Sequence, residues 1–436
     1  MNITNNPSSV DKSPVVKNSI FAIGLITSLF FLWGFAHNLD PILIPHLKKS
    51  FTLTTVQATL VDSAVFIAYF LMAIPAGFLM KKYGYKAGII VGLFVFACGS
   101  LLFLPAADYQ SYNFFLIALF IIACGLTVLE TAANPYITIL GPPETASFRI
   151  NFAQSFNGLA ASLAPIIGVK LILTKGTPIE ELNAMTETAR AASLAAEAST
   201  VKMPYLVLGI VLILIAVIFY FTKLPDIKSS STNEASSKSI FHALKHKHLA
   251  WGVSAQFFYV GAQVSVFSLF LLYAPVAAGI TEEEAGYYLG ACGIAFLIGR
   301  FIGTFLMKFF KAENLLALYA VINIILCFVA IFAHGMITVY TVIAICFFMS
   351  IMFPTIFALG ISGLGGDTEY GSSLIIMSIV GGAILPRIFG IISDETQNIQ
   401  NGYIVPAVCF LVIAIFGISG HRVNKKQVET EPAGIL

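Results

Sequence analysis

The chain has 436 residues, 58% of them hydrophobic and 11% charged, with a formal net charge of +2 and a mean hydropathy of +0.89. Soluble domains carry roughly 25% charged residues, so this chain cannot cover its surface with polar groups and is expected to be solvated by lipid. So small a charge, with no basic cluster interleaved with aromatics, gives no footprint for nucleic acid. The six cysteines fall singly within apolar stretches, with neither CxxC nor Cys/His spacing, and suggest no disulfide framework or metal site.

The first 19 residues are polar and lack the apolar core and small-residue cleavage site of a secretory signal, so the first span is expected to be retained. A membrane helix needs about 20 mostly apolar residues. Twelve such stretches follow, at 20–44, 56–80, 86–104, 112–139, 149–173, 203–223, 249–278, 284–309, 313–333, 337–360, 369–393 and 402–421. The Ser- and Lys-rich stretch 224–248 ("LPDIKSSSTNEASSKSIFHALKHKH") divides them six and six. The chain thus reads as an all-α, polytopic membrane protein. A tail (1–19) leads into one six-helix half (20–223), a linker (224–248), a second half (249–421) and a second tail (422–436). Between spans five and six, "EELNAMTETARAASLAAEAS" is rich in helix formers and predicts a short helix outside the membrane.

The polar residues within the spans come in a pattern. Span one carries Asn38 and Asp40, and span two carries Asp62 near its end, where capping or snorkelling accounts for it. Span four has Glu130 and Asn134 one helical turn apart, and span five has Gln154 and Asn157, also neighbours on one face. Gln256, Tyr259 and Gln263 form a single stripe on span seven. Arg300 in span eight and Arg387 in span eleven are expected to serve as structural partners of carbonyls or carboxylates. Spans three, six, nine and twelve are nearly free of strong polarity, apart from Asn323. Every third helix is thus lipid-like and the others share a wet interior, which is a transporter's distribution. Amides within spans also bond neighbouring helices, at roughly 0.6 kcal/mol each. Gln256 and Gln263 therefore divide evenly between cavity and packing roles, and Trp33, Tyr69 and Tyr259 can serve as packing aromatics. Glu130 stands apart, because it lies deep in a span whose helix offers no basic partner and an intramembrane carboxylate is costly.

Lys and Arg accumulate on the cytoplasmic side of membrane proteins. With the N-terminus inside, 16 of the 24 fall in cytoplasmic segments and 6 outside, with Arg300 and Arg387 within spans, so both termini and the linker are expected in the cytoplasm. An internal repeat supports the division into halves. "PYITILG" (135–141) and "PTIFALG" (354–360) share P-x-I-x-x-L-G six spans apart; "APIIG" (164–168) and "LPRIFG" (385–390), and the two "LMK" runs (79–81 and 306–308), echo each other in the same order. Two parallel six-helix halves with the substrate site between them are the architecture of the major facilitator superfamily.

Within that superfamily the chain resembles the fucose permease branch. The likeness is carried by "FFLWGFAHNLDPILIPHLKKSFTLT", "IPAGFLMKKYGYKAGI", "LETAANPYITILGPPE", "RINFAQSFNGLA", "QFFYVGAQV" and "FPTIFALGISGLGGDTEYGSSLIIMSIVGGAILP", and it runs from about residue 21 to 420. It implies a sugar symporter of the bacterial inner membrane, for fucose, for glucose and galactose, or for N-acetylglucosamine. It implies that Glu130 is a sugar-contacting or proton-linked carboxylate and that Asn38, Gln154 and Asn157 are sugar ligands. One departure stands out. The branch reads Asn-Leu-Asn-Asp in span one, whereas Asn38-Leu39-Asp40-Pro41 places the aspartate one residue earlier. One residue turns a side chain about 100° on a helix, and Pro41 can re-aim it, so Asp40 and Glu130 both stand as candidate proton carriers.

The residues suit that work. Amides and carboxylates offer donors and acceptors to sugar hydroxyls, with Asn38, Glu130, Asn134, Gln154, Asn157, Gln256 and Gln263 as the candidate ligands. The membrane potential cannot concentrate a neutral sugar, but a co-transported cation can, at about 2.3 kcal/mol per charge per 100 mV. The expected function is uptake of L-fucose or a related hexose by proton symport through alternating access, by a chain working as a monomer in the bilayer and needing no cofactor beyond the co-transported H⁺. The alternatives are sodium-coupled uptake of glucose and galactose or of N-acetylglucosamine, and a membrane sugar sensor that transports nothing. A sensor usually carries an added cytoplasmic module, for which the tail after 421 is too short. A membrane enzyme is disfavoured by the absence of HExxH, GxSxG and P-loop patterns.

Overall fold

The computed structural model describes residues 13–38, 43, 46–47, 50–51, 53, 60–168, 179–222, 224 and 240–423. Among them there is no strand. Helix is what the medium demands, because hydrocarbon offers no partner to a backbone N–H or C=O and each span must satisfy its own.

The first half holds span one (Ser13–His37), span two (Leu60–Tyr83), span three (Tyr85–Asp108), span four (Tyr112–Ile139), span five (Ala146–Gly168) and span six (Lys202–Phe221). In the second half, span seven runs from Lys247 to Ser268 and bends by 58° into Phe270–Ala278. Span eight is Glu282–Leu306 and span nine Ala312–Phe332. Span ten is Met336–Met349 followed by Met352–Ile361, and span eleven is Thr368–Met377 followed by Gly381–Thr396. Span twelve is Ile404–Ile415, extended by a turn at each end. Nine helical stretches among the described residues are long and apolar enough to cross a membrane, and the bent span seven makes ten. Spans one and five complete the twelve, span five being less apolar because it carries Asn151, Gln154 and Asn157.

Two boundaries differ from expectation. The helix outside the membrane is two helices, Ile179–Ala184 and Glu187–Ala198, because Thr186 is extended between them. The second continues through the turn Ser199–Val201 into span six. The last two residues of the expected linker, Lys247 and His248, already belong to span seven. Most of the linker, the N-terminal tail to residue 12, the tail from residue 424 and Asp40 lie outside the described residues.

Spans three and six pack on each other, as do spans nine and twelve, and all four make their main contacts within their own half. Their lack of polar residues therefore suits a place at the periphery, where Phe94, Leu214, Ile325 and Leu411 are exposed. Spans three and four approach closely through Gly92, Gly99 and Gly125, where a Cβ would meet the facing helix.

The two halves meet between mid-depth and the end of the bundle next to the linker. One apolar core fills spans one to six and reaches into the linker end of spans ten and eleven at Phe357, Leu374 and Ile375. The other fills the second half. At the linker end Phe78 of span two packs edge-on against Tyr370 of span eleven, and the Lys81 ammonium lies 4.1 Å from the same ring. Beside this junction His246 Nε2 and Asp367 Oδ2 are 3.3 Å apart, joining the end of the linker to the start of span eleven.

Candidate functional site

Span four stays helical through Pro135, and this carries Glu130 and Asn134 to the same face. Glu130 is buried, and Tyr69 of span two donates its hydroxyl to Glu130 Oε1 at 2.7 Å. Among the described residues no Lys, Arg or His pairs with this carboxylate. One turn on, Asn134 is fully buried. Its Oδ1 lies 3.5 Å from Gln154 Nε2 of span five, at the outer limit of a hydrogen bond, and its Nδ2 has no partner. The line Tyr69–Glu130–Asn134–Gln154 thus crosses spans two, four and five with donor capacity left over.

A second group joins spans one and five. Asn38, half-buried, donates Nδ2 to the Gly34 carbonyl one turn upstream at 2.7 Å. Asn157, also half-buried, lies against that same glycine, where a Cβ would stand 2.7 Å from its Nδ2. Gly34 is therefore the joint that lets Asn38 and Asn157 share one place.

Span seven supplies the facing side. Gln256 is fully buried and neither its Oε1 nor its Nε2 has a partner; the buried hydroxyl of Tyr259 has none either. Gln263, two turns further on, is half-buried. A buried amide left unpaired costs about 1–3 kcal/mol. Neither glutamine hydrogen-bonds to the first-half group among the described residues. Tyr259 also packs edge-on against Phe353, and Trp33 against Phe30, so both do act as packing aromatics.

Arg300 takes the structural role expected of it. Its Nε donates to the Ser350 carbonyl at 2.9 Å and its Nη1 to the Gln154 carbonyl at 2.8 Å, with the guanidinium 4.6 Å from the Phe296 ring. Arg387 does not: it is exposed and has no partner among the described residues. Two contacts between the halves left no trace in the sequence pattern. Ser372 donates to the Thr131 carbonyl at 2.8 Å and Asn151 to Thr355 Oγ1 at 3.0 Å, between residue types common in any span. No cluster of three metal-ligating side chains occurs among the described residues.

Two six-helix halves, a wet interior between them and dry outer helices narrow the choice of family, and residues 21–384 match the profile of the Major Facilitator Superfamily. The chain belongs to that superfamily. Its relatives place it in the fucose permease branch that the motifs implied. It is 43% identical over 416 residues to the L-fucose-proton symporter of Escherichia coli strain K12, covering 94% of this chain and 95% of that one. To a glucose/galactose transporter of Brucella abortus it is 42% identical over 421 residues, covering 96% and 98%. The crystal structure of the superfamily transporter FucP in the outward conformation superposes with a TM-score of 0.87 at 42% identity, covering 92% of this chain and 99% of that one.

Proposed function

We propose that this chain takes up a monosaccharide, L-fucose or a related hexose, by proton symport through alternating access. The observation that carries the reading is Glu130, a carboxylate buried at membrane depth, bonded to Tyr69 and one turn from an amide chain with unmet donors. Such a group can be neutral while the halves rock and ionised when the cavity is wet. The amides Asn38, Asn134, Gln154, Asn157, Gln256 and Gln263 then serve the sugar hydroxyls from both halves. Uptake of labelled L-fucose against its gradient, abolished by an uncoupler, is the expected result. Downhill movement alone, insensitive to the uncoupler, would leave a facilitator in its place.

A second substrate reading has support of its own, because the identities to the fucose and the glucose/galactose relatives, 43% and 42%, are almost equal. Competition among fucose, glucose, galactose and N-acetylglucosamine in vesicles, with pH and sodium varied separately, decides both the sugar and the cation. The Lys/Arg count supports cytoplasmic termini in a bacterial inner membrane. Cysteines placed at Ser230 and Lys175 are expected to label from opposite sides, and labelling of the former from outside intact cells would reverse the orientation. One sugar site per chain supports action as a monomer.

A further inference from the structure

The repeated P-x-I-x-x-L-G motif has no part in the sugar site, yet each copy opens with a proline inside or at the start of a helix. Proline has no N–H, so the carbonyl four residues before it loses its helical donor. For Pro135 that carbonyl belongs to Thr131, and for Pro354 to Ser350. Both have been taken by other helices, the Thr131 carbonyl by one from the opposite half and the Ser350 carbonyl by a neighbouring span of its own half. Ser372 of span eleven donates Oγ to the Thr131 carbonyl across the halves at 2.8 Å. Arg300 of span eight donates Nε to the Ser350 carbonyl at 2.9 Å, and with Nη1 reaches across to the Gln154 carbonyl of span five at 2.8 Å. Thr131, Ser350 and Ser372 are fully buried, and Arg300 is only 4% exposed.

We infer that the two repeat prolines build a pair of latches that hold the linker end of the halves shut. The carbonyl freed by Pro135 is itself bonded across the halves by Ser372. The carbonyl freed by Pro354 anchors Arg300, whose other nitrogen crosses to the Gln154 carbonyl, so that Arg300 also acts as a positioning residue for Gln154. A freed carbonyl makes a good acceptor because no N–H of its own helix competes for it. A hydroxyl or guanidinium on a carbonyl also parts at lower cost than a buried ion pair, whose separation would strand two charges. The latches are thus strong enough to set the resting state and weak enough to open in every cycle. One of them lies one residue from Glu130, and the other fixes the main chain of Gln154. This inference rests on the transport reading only in assigning the opening to a transport cycle.

The test replaces the prolines. Pro135→Ala and Pro354→Ala each return an N–H that recaptures the carbonyl within its own helix. Ser372→Ala removes the donor that crosses to Thr131, and Arg300→Lys removes the guanidinium that joins the Ser350 carbonyl to the Gln154 carbonyl. The readout is maleimide labelling of Ser373→Cys in purified, sugar-free protein, since Ser373 is fully buried against Gly77 of span two at the linker end. Each variant is expected to raise the labelling rate several-fold over the Ser373→Cys parent, and the double proline variant further. Pro105→Ala, inside span three and away from the seam, is expected to leave it unchanged. Rates at the parent level in Pro135→Ala, Pro354→Ala and Ser372→Ala alike would overturn the latches. These three keep the test decisive if Arg300→Lys fails to fold. Failure of the parent to move any sugar would strike the transport reading and leave the labelling result standing.

Discussion

The two halves share a fold but not a chemistry. In the first, a carboxylate sits at membrane depth with a tyrosine hydroxyl on it and amides leading away. In the second, the buried polar groups of the interior are neutral, or are an arginine held on carbonyls; its acids Glu282, Glu283, Glu284, Glu313, Asp367, Glu369, Asp394 and Glu395 stand at or near span ends. The difference teaches how duplicated halves divide labour. Sugar recognition needs donors and acceptors and can be shared, whereas coupling needs a group that changes charge, and one half suffices to hold it.

The sharpest way to break this comparison is Glu130→Gln, which keeps shape and fixes the group uncharged. Accumulation driven by an acid exterior is expected to collapse; per 100 mV this means losing a gradient of about fifty-fold. Exchange of internal for external sugar is expected to survive, since it needs no net proton release. Retained pH-driven accumulation would remove coupling from Glu130, and Asp40→Asn is the paired control for the other candidate carboxylate of the same half.

Next in size come Gln154→Ala and Asn157→Ala, each expected to weaken sugar binding by about 1–3 kcal/mol, measured by ligand titration of the purified protein. Unchanged affinity in a well-folded variant would make them helix-packing residues. Gln256→Leu tests the other half. Removing a buried amide with no partner is expected to raise thermal stability by about 1 kcal/mol while lowering sugar affinity. A gain in stability with no loss of affinity would assign Gln256 to packing and leave recognition to the first half. The smallest effect is expected of Tyr69→Phe, a loss of about 0.5–1.5 kcal/mol in affinity, since one hydrogen bond to Glu130 goes. A collapse of pH-driven accumulation like that expected of Glu130→Gln would make the tyrosine part of the coupling group.

Much of this was legible before any coordinates. Runs of apolar residues mark spans because lipid accepts little else, and the every-third-helix dryness predicted the peripheral position of spans three, six, nine and twelve. Spacing also placed Glu130 with Asn134 and Gln154 with Asn157. What spacing cannot give is the neighbour across a gap. That Tyr69 meets Glu130, and that Asn157 meets Gly34, depends on how helices from distant parts of the chain cross. Arg300 and Arg387 look alike in sequence, yet one is buried on two carbonyls and the other is exposed. The repeat was visible as a pattern, but its use of freed carbonyls appeared only once their donors were seen on other spans.

Gly34 has a consequence for how such a protein can diversify. Its missing side chain leaves the room that the Asn157 amide occupies, and a methyl added there would press within 2.7–2.8 Å of that amide. The same methyl would stand 2.8 Å from the Asn157 main-chain carbonyl, so Gly34→Ala would displace span five as well as the amide, with no change of charge. A position that bears no side chain thus sets how closely two helices approach and where an amide between them stands, so a single methyl there acts at a distance on every group that span five carries.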